Sequence, residues 1–207
     1  MIDFFLDAYK NATTFDIVME AIVFFFGIIS VYYAKKENIL VYPTGIIATV
    51  ITVYLLYKAE YFADMTLNIY FSFMSIYGWI NWSRVKENEH VFKISRTNTK
   101  QKIIGILLFF LTIAVTYCIY HLFGKEIHPE NYIDIVTSGI FFTGMWYMAL
   151  KKIENWTLWI IGDIIAVPLY AYRGLGMLSL QYVFFTILAI LAYLEWRKIL
   201  SNNPQTS

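Results

Sequence analysis

The sequence predicts an all-α membrane protein with seven transmembrane helices. Its 207 residues are 59% apolar and only 15% charged, which is far from the composition of a soluble globular domain. Apolar runs of about 20 residues, the length that crosses about 30 Å of hydrocarbon, occur seven times. Lys and Arg are distributed unequally over alternate connections between these runs, as in multi-pass membrane proteins. Residues 1–207 are therefore expected to form a single integral membrane domain.

Each span is predicted from an apolar run of a length that suits one crossing. In chain order the spans cover residues 17–33, 39–57, 64–82, 103–123, 132–150, 156–172 and 175–196. The longest connection between spans, "RVKENEHVFKISRTNTKQK", is polar and joins the third span to the fourth.

The basic residues give the predicted orientation, because Lys and Arg remain on the cytoplasmic side of a membrane. One face receives twelve of them: Lys35, Lys36, Arg84, Lys86, Lys93, Arg96, Lys100, Lys102, Lys151, Lys152, Arg197 and Lys198. The other face receives only Lys10, Lys58, Lys125 and Arg173. With seven crossings, this asymmetry places the amino terminus outside and the carboxyl terminus in the cytoplasm.

The two halves of the chain are similar on either side of the fourth span. The turn "YYAKKENILVYPTG" of the first half corresponds to "MALKKIENWTLW" of the second, and Asn68 and Gln181 precede Trp82 and Trp196 by 14 and 15 residues. One central span gives both halves the same orientation, as in transporters with parallel repeats. The prediction is a 3+1+3 architecture, with repeats at 17–82 and 132–198 and a linker helix at 103–123.

The sixth span, "WTLWIIGDIIAVPLY", carries the most unusual pattern. Residues three or four apart share a helix face, so Trp156, Trp159, Asp163 and Tyr170 form one stripe. An ionisable residue at membrane depth is costly and indicates a functional cavity. Two alternatives stay open: Trp156 belongs to an interfacial aromatic belt, or Asp163 is a structural hydrogen-bond partner between helices.

Polar residues in other spans extend this hypothesis. Asn68 and Gln181 lie at corresponding places in the two halves, and their amides both donate and accept hydrogen bonds. We therefore predict that both amides contact the ligand. Glu20 and Asp134 lie near the outer ends of the first and fifth spans, where a solvated interfacial position is expected. Gly162, Gly174 and Gly176 are candidate pivots, although glycine in membrane helices more often permits close packing.

Several function classes are excluded by missing features. No Lys or Arg falls inside a span, so a retinal Schiff base has no attachment point, and no P-loop, H-E-x-x-H or G-x-S-x-G pattern occurs. The single cysteine and three scattered histidines form no zinc pattern, so neither a metal ion nor a cofactor is predicted. A net charge of +1 argues against a nucleic-acid partner. An intramembrane enzyme using Asp163 lacks a second catalytic group, and a substrate-capturing subunit of a separate ATPase remains as another class.

The chain resembles the PnuC-type vitamin transporters, whose best-known members carry nicotinamide riboside. The similarity rests on "YPTGII", "YFADMTLNIYFSFMSIYGWINW" and "WTLWIIGDIIAVPLYAYRGL", and it covers nearly the whole chain. It implies seven spans in two three-helix repeats, with distant kinship to sugar facilitators of the SWEET type. It also implies facilitated diffusion, with a cytoplasmic kinase that traps the vitamin and need not touch the transporter. A homo-oligomer is left open.

The resemblance also implies site residues. The family pattern W-x-x-W-x-x-x-[ND] falls on Trp156, Trp159 and Asp163, and an amide-and-aromatic pattern falls on Asn68 and Tyr70. Many members have Gln at the position of Asn68 and Asn at that of Asp163. The tryptophans would stack on the cationic pyridinium ring, since cation–π attraction is strongest for Trp. Thiamine, also an aromatic cation, is the alternative substrate.

Overall fold

A computed structural model describes residues 13–58, 62–86, 89–90, 92–122, 129–174 and 176–202. These residues contain seven helices: α1 (Thr14–Lys35), α2 (Val41–Lys58), α3 (Phe62–Ser83), α4 (Thr99–Leu122), α5 (Pro129–Ala149), α6 (Glu154–Tyr172) and α7 (Gly176–Asn202). The prediction of seven helices is confirmed, and all seven contain most or all of the corresponding predicted span. The ends differ by a few residues, because polar residues cap the helices beyond the apolar runs.

The start of α4 shows how capping extends a helix. The apolar run begins at Ile103, but α4 begins at Thr99. The side chain of Asn98 accepts a hydrogen bond from the backbone N–H of Gln101 (2.9 Å), and the side-chain oxygen of Gln101 accepts one from the backbone N–H of Asn98 (3.0 Å). This reciprocal capping box satisfies two amide groups that a helix start leaves free. The helix therefore begins inside the polar connection.

Four described helices are long and apolar enough to cross a membrane on length and composition alone: α1, α2, α4 and α7. The other three, α3, α5 and α6, carry Asp64, Asp134 and Asp163. Their lower hydropathy has a structural reason, because these three carboxylates line an internal cavity. The protein is a multi-pass membrane protein in which the less apolar helices turn polar faces inward.

The connection between α3 and α4 is more ordered than a polar loop suggests. Two short strands, β1 (Val85–Lys86) and β2 (Glu89–His90), pair antiparallel. Further on, Ser95 donates its backbone N–H to the carbonyl of Lys151 (3.1 Å) and accepts one from Ile153 (3.0 Å). This small hairpin lies within a connection and leaves the all-α fold as predicted. The segment after it is fastened to the turn between α5 and α6.

The helices form two groups. Helices α1, α2 and α3 pack in sequence and are called the first unit, and α5, α6 and α7 pack in the same way and are called the second unit. The units meet where α1 packs against α7 and where α3 packs against α5, while α4 packs mainly against α5. The end of the bundle where α1, α3, α5 and α7 terminate carries most of the basic residues and is called the basic end. The opposite end is called the far end.

Contacts at the basic end recur at a constant separation of 114 residues. The indole N–H of Trp82 donates to the carbonyl of Met148 (3.3 Å), and that of Trp196 donates to the carbonyl of Ala34 (3.2 Å). Trp82 and Trp196 are 114 positions apart, as are Ala34 and Met148. Each unit thus donates the same hydrogen bond to the other. The separation provides a residue-by-residue correspondence between the two units.

The turns that follow α1 and α5 also correspond. Glu37 (φ 55°) and Lys151 (φ 52°) both adopt the left-handed conformation, which is uncommon outside glycine. Their side chains, again 114 residues apart, form an ion pair of 2.6 Å. The Lys151 ammonium also lies 4.6 Å from the ring centre of Trp82, a cation–π contact. Equivalent residues of the two units therefore meet each other.

Candidate functional site

A cavity of about 780 Å³ lies between the two units. It is lined by all seven helices, with only Ile119 and Tyr120 contributed by α4. Its volume is within the range of small-molecule sites, which is about 300–1,000 Å³. The lining reaches from buried Tyr42 at the basic end to Tyr172 at the far end, whose side chain is 80% exposed. In the described part of the chain, the cavity lining therefore extends from the basic end to the far end of the bundle.

One wall of the cavity comes from α6. The structure places Trp156, Trp159, Asp163 and Tyr170 along it, as the helical spacing predicts. Trp156 is only 2% exposed and packs edge to face against Trp196 at 5.4 Å. A membrane-interface position for Trp156, the alternative left open from the sequence, is therefore wrong.

Asp163 is buried, with 2% of its surface exposed. Among the described residues, no side chain forms a hydrogen bond or an ion pair with its carboxylate. The alternative left open for Asp163, a structural hydrogen bond between helices, therefore has no partner residue in the described chain. A buried carboxylate without a partner costs several kcal/mol on the general scale of ion desolvation. A cationic ligand in the cavity would offset that cost.

An aromatic stack extends the α6 wall onto α5 and α7. Trp159 stacks on Phe141 with ring centres 5.4 Å apart, and Phe141 lies 6.1 Å from Tyr182. Tyr182 in turn stacks on Tyr170 at 5.1 Å. The ring of Phe141 rests on Gly162, where any Cβ atom would collide with it. This contact explains Gly162 by close packing.

Phe141 and Tyr182 were missed from the sequence, because two apolar aromatics in lipid-like segments give no separate signal. For Phe141 a weak signal existed: it shares a face of α5 with Asp134, Ser138 and Met145, all of which line the cavity. For Tyr182 the sequence held no such signal, because the separation of 114 residues that matches it with Asn68 emerges only from the contacts between the units.

The opposite wall comes from α2. Tyr42, Gly45 and Thr49 line the cavity there, and the 114-residue correspondence matches them with Trp156, Trp159 and Asp163. Thr49 shares a hydrogen bond of 2.8 Å with Ser72 of α3. The first unit therefore presents small and hydroxyl side chains where the second presents large rings and a carboxylate.

Three buried donor groups on the lining residues have no hydrogen-bond partner within the described chain. They are the hydroxyl of Tyr42 and the indole N–H groups of Trp156 and Trp159. An unpaired buried donor costs about 1–3 kcal/mol. Such groups are available to donate hydrogen bonds to a ligand or to water in the cavity.

The two predicted amides both line the cavity, but they are not equivalent. Asn68 donates from its side chain to the carbonyl of Asp64 (2.9 Å), which leaves its own carbonyl oxygen available. Gln181 stands one position out of register, because the partner of Asn68 at 114 residues is Tyr182. Tyr70 is not among the lining residues: its hydroxyl donates to the carbonyl of Phe142 (3.0 Å) and its ring stacks on the Phe142 ring. Tyr70 therefore contacts a neighbouring helix instead of the cavity.

At the far end the cavity has a charged rim. Asp134 is 5% exposed and forms an ion pair of 2.5 Å with Arg173, which follows α6. Partial burial of the Arg173 guanidinium favours its neutral form, but bonding to Asp134 outweighs this and raises the pKa of Arg173 above its usual value. Glu20 is exposed and its solvated interfacial position stays a prediction, whereas Asp134 is buried, so that expectation is wrong for Asp134.

Within the described residues, no group of three or more His, Cys, Asp and Glu side chains could hold a metal ion. The lining instead combines stacked rings, carboxylates that include the unpaired Asp163, and several hydroxyl and amide groups. Rings and a carboxylate suit an aromatic cation, and hydroxyl and amide groups suit a polar, hydrogen-bonding remainder.

Fold and cavity together define the class: a multi-pass helical membrane protein with an internal small-molecule cavity between two corresponding units. The chain belongs to the nicotinamide mononucleotide transporter family, whose model matches residues 17–198. The resemblance to PnuC-type transporters is thereby confirmed, and the protein is a member of a membrane transporter family.

Individual relatives agree with this assignment. The chain is 25% identical over 201 residues to the nicotinamide riboside transporter PnuC of Escherichia coli (strain K12), covering 86% of this chain and 84% of the relative. It is 22% identical over 190 residues to the nicotinamide riboside transporter PnuC of Neisseria mucosa, covering 86% and 71%. A crystal structure of the vitamin B3 transporter PnuC matches 100% of this chain and 90% of that chain, with a TM-score of 0.72 and 21% identity. The structural match shows a shared fold.

Proposed function

We propose that the protein carries nicotinamide riboside across the bacterial inner membrane by facilitated diffusion, and that phosphorylation by a cytoplasmic kinase then traps the vitamin. Family membership and relatives named as nicotinamide riboside transporters support this substrate. The cavity volume of about 780 Å³ suits a nucleoside-sized ligand.

One observation carries the proposal: the unpaired carboxylate of Asp163 lies one helical turn from Trp159 in the same cavity. Nicotinamide riboside has a cationic pyridinium ring, which stacks favourably on an indole face and pairs with a carboxylate. Trp156 and Tyr170 extend this aromatic wall. Asn68 and Gln181 supply hydrogen bonds to the amide or the ribose, as both line the cavity.

The architecture we propose is two parallel three-helix repeats joined by the linker helix α4, in a 3+1+3 arrangement of the SWEET type. The packing of α1–α3 and α5–α7 into separate groups supports it, as does the constant separation of 114 residues between matching contacts. The excess of Lys and Arg at the basic end supports a cytoplasmic carboxyl terminus and an external amino terminus.

The charge of the cavity lining distinguishes between candidate ligands. The lining includes the carboxylates Asp64, Asp134, Asp163 and Glu130 against the single described cation Arg173. This balance favours a cation over a phosphorylated nucleotide, because like charges repel strongly in a low-dielectric site. Thiamine satisfies the same requirement and is the second candidate.

Calorimetric titration of the purified protein with nicotinamide riboside, thiamine and nicotinamide mononucleotide tests the proposal. We expect saturable binding of the riboside and binding of the mononucleotide that is weaker by about a hundredfold, which corresponds to about 2.7 kcal/mol. Binding of thiamine alone would move the substrate to the second candidate. Absence of riboside binding to a well-folded protein contradicts the proposal.

Uptake by liposomes that contain only the purified protein is the accompanying measurement. Riboside entry without any other protein dismisses the class of a capturing subunit that needs an ATPase. Asp163→Ala should weaken riboside binding by about tenfold, since the carboxylate is the proposed partner of the cation. The matched control is Glu20→Ala, which removes an exposed carboxylate outside the cavity and should bind as the parent does.

A further inference from the structure

The basic end of the cavity is closed by a compact aromatic cluster. Tyr42 packs edge to face against Trp82 at 5.1 Å, and Trp156 packs in the same way against Trp196 at 5.4 Å. Trp82 and Trp196 contact each other at 6.1 Å. All four side chains are at most 2% exposed. We call these four residues, together with the Glu37–Lys151 ion pair, the basic-end plug.

We propose that the basic-end plug is the gate through which the ligand leaves at this end, and that the Glu37–Lys151 ion pair holds it closed. This inference rests on the proposed transport function for its biological meaning. The structural statement, that breaking the ion pair opens the cavity at the basic end, can be tested without any substrate.

The symmetry of the contacts indicates a boundary between moving parts. Glu37 and Lys151 are equivalent residues of the two units, and equivalent residues can meet only at the axis that relates the units. Each indole N–H bond of the plug likewise runs from one unit to the other. A rocking motion of one unit against the other would therefore break these contacts together and leave the packing inside each unit intact.

The energetics of the plug suit a gate that opens and closes. Lys151 is held firmly, because its side chain is 3% exposed, pairs with Glu37 and lies over the ring of Trp82. In contrast, the hydroxyl of Tyr42 and the indole N–H of Trp156 have no partner in the described chain. Opening would give these two donors access to water. The closed form is thus favoured by the ion pair and disfavoured by the buried donors, which is the balance a two-state element needs.

Access of a thiol reagent to the cavity from the basic end tests the gate. Ser75 lines the cavity one helical turn from Gly78, against which the Tyr42 ring packs, and it is 3% exposed. The reporter is Ser75→Cys in a Cys118→Ser background. A membrane-impermeant maleimide is applied to inside-out and right-side-out vesicles. Lys36→Cys, at an exposed position of the basic end, establishes which vesicle type presents that end to the reagent.

Charge reversal at the ion pair is the decisive comparison. We expect Glu37→Lys or Lys151→Glu to raise the rate of reporter labelling from the basic end by about tenfold, because each places like charges together in the plug. The double exchange, Glu37→Lys with Lys151→Glu, should return labelling to the parent rate. Lys36→Glu reverses a neighbouring exposed charge and should leave the rate unchanged.

Neutral variants keep the test valid if a charge reversal prevents folding. Glu37→Asn and Lys151→Asn each remove one charge with a residue that tolerates left-handed backbone, and they should raise labelling in the same direction. Unchanged labelling in well-folded single variants, or no return in the double exchange, overturns the gate. If labelling behaves as expected but nicotinamide riboside does not bind the parent protein, the gate stands and the proposed function fails.

Discussion

The two units agree at the basic-end plug and differ along the cavity walls. Trp82 corresponds to Trp196, and each donates its indole N–H to the last turn of the first helix of the opposite unit. In the cavity, Gly45 corresponds to Trp159 and Thr49 to Asp163. Contacts that close the bundle are therefore repeated, whereas the residues that line the cavity are not.

This difference has a physical reason under the proposed function. A closing contact between two related units works best when both units contribute equally to it. A ligand with a cationic ring at one end and a sugar at the other has no twofold symmetry, so two identical walls would hold it in two orientations. The wall built by Trp159 and Asp163 selects one of these two orientations. The small residues of the first unit leave room for the rest of the ligand.

The largest expected effect comes from removing the ring that distinguishes the second unit. Trp159→Ala should weaken riboside binding by about thirtyfold or more, because a desolvated cation–π contact contributes about 2 kcal/mol or more. Calorimetry measures it. Trp79→Ala is the matched control, since Trp79 is 41% exposed and lies outside the cavity lining. Equal losses in both variants would show that the effect is general and not a property of the α6 wall.

A smaller effect is expected from overpacking the support of that wall. Gly162→Ala forces a methyl group into the Phe141 ring, which should lower the free energy of unfolding by about 1–3 kcal/mol and loosen the Trp159 stack. Gly144→Ala is the control, because its methyl group would meet Leu158 and Trp159 at ordinary contact distances of 3.4 and 3.7 Å. Thermal unfolding in detergent measures both. A neutral Gly162→Ala would remove the packing explanation of this glycine.

At the plug the two units should respond alike. Trp82→Phe and Trp196→Phe each keep a ring but remove one indole hydrogen bond, and each leaves a buried carbonyl with one donor fewer. Each should reduce stability by about 1–2 kcal/mol. The difference between the two losses of stability is a stricter test than either loss alone. Losses that differ by more than about 1 kcal/mol would contradict the equivalence of the two contacts. Denaturation of both variants under one condition measures the difference.

The smallest effect is expected on the wall of the first unit. Thr49→Val preserves shape and removes the hydroxyl that shares a hydrogen bond with Ser72. Riboside affinity should fall by about fivefold or less, since a single neutral hydrogen bond contributes about 1 kcal/mol. Titration of this variant beside Trp159→Ala ranks the two walls. A larger loss for Thr49→Val would reverse their assigned roles.

The helices and the α6 stripe could be predicted from the sequence, because apolar length and helical spacing are local properties. Trp156, Trp159, Asp163 and Tyr170 repeat every three to seven residues along one helix, so their common face needed no knowledge of neighbours.

Tertiary relations could not be predicted in the same way. Phe141 reaches Trp159 only because Gly162 lets α5 approach α6 closely, and that contact joins two separate spans. Asp134 of α5 is buried together with an ion-pair partner, Arg173, which follows α6. Sequence similarity paired Asn68 with Gln181, whereas the structure pairs Asn68 with Tyr182, one residue further along. A constant separation of 114 residues becomes visible only when contacts such as Trp82 to Met148 are known.

The central claim is that Asp163 recognises the positive charge of the ligand. The most direct measurement is calorimetric titration of the parent and of Asp163→Asn with nicotinamide riboside and with its neutral dihydro form, which has nearly the same shape without the charge. We expect the parent to prefer the cation by about tenfold and the variant to lose that preference, a coupling of about 1.4 kcal/mol. The same preference in both proteins would contradict the claim.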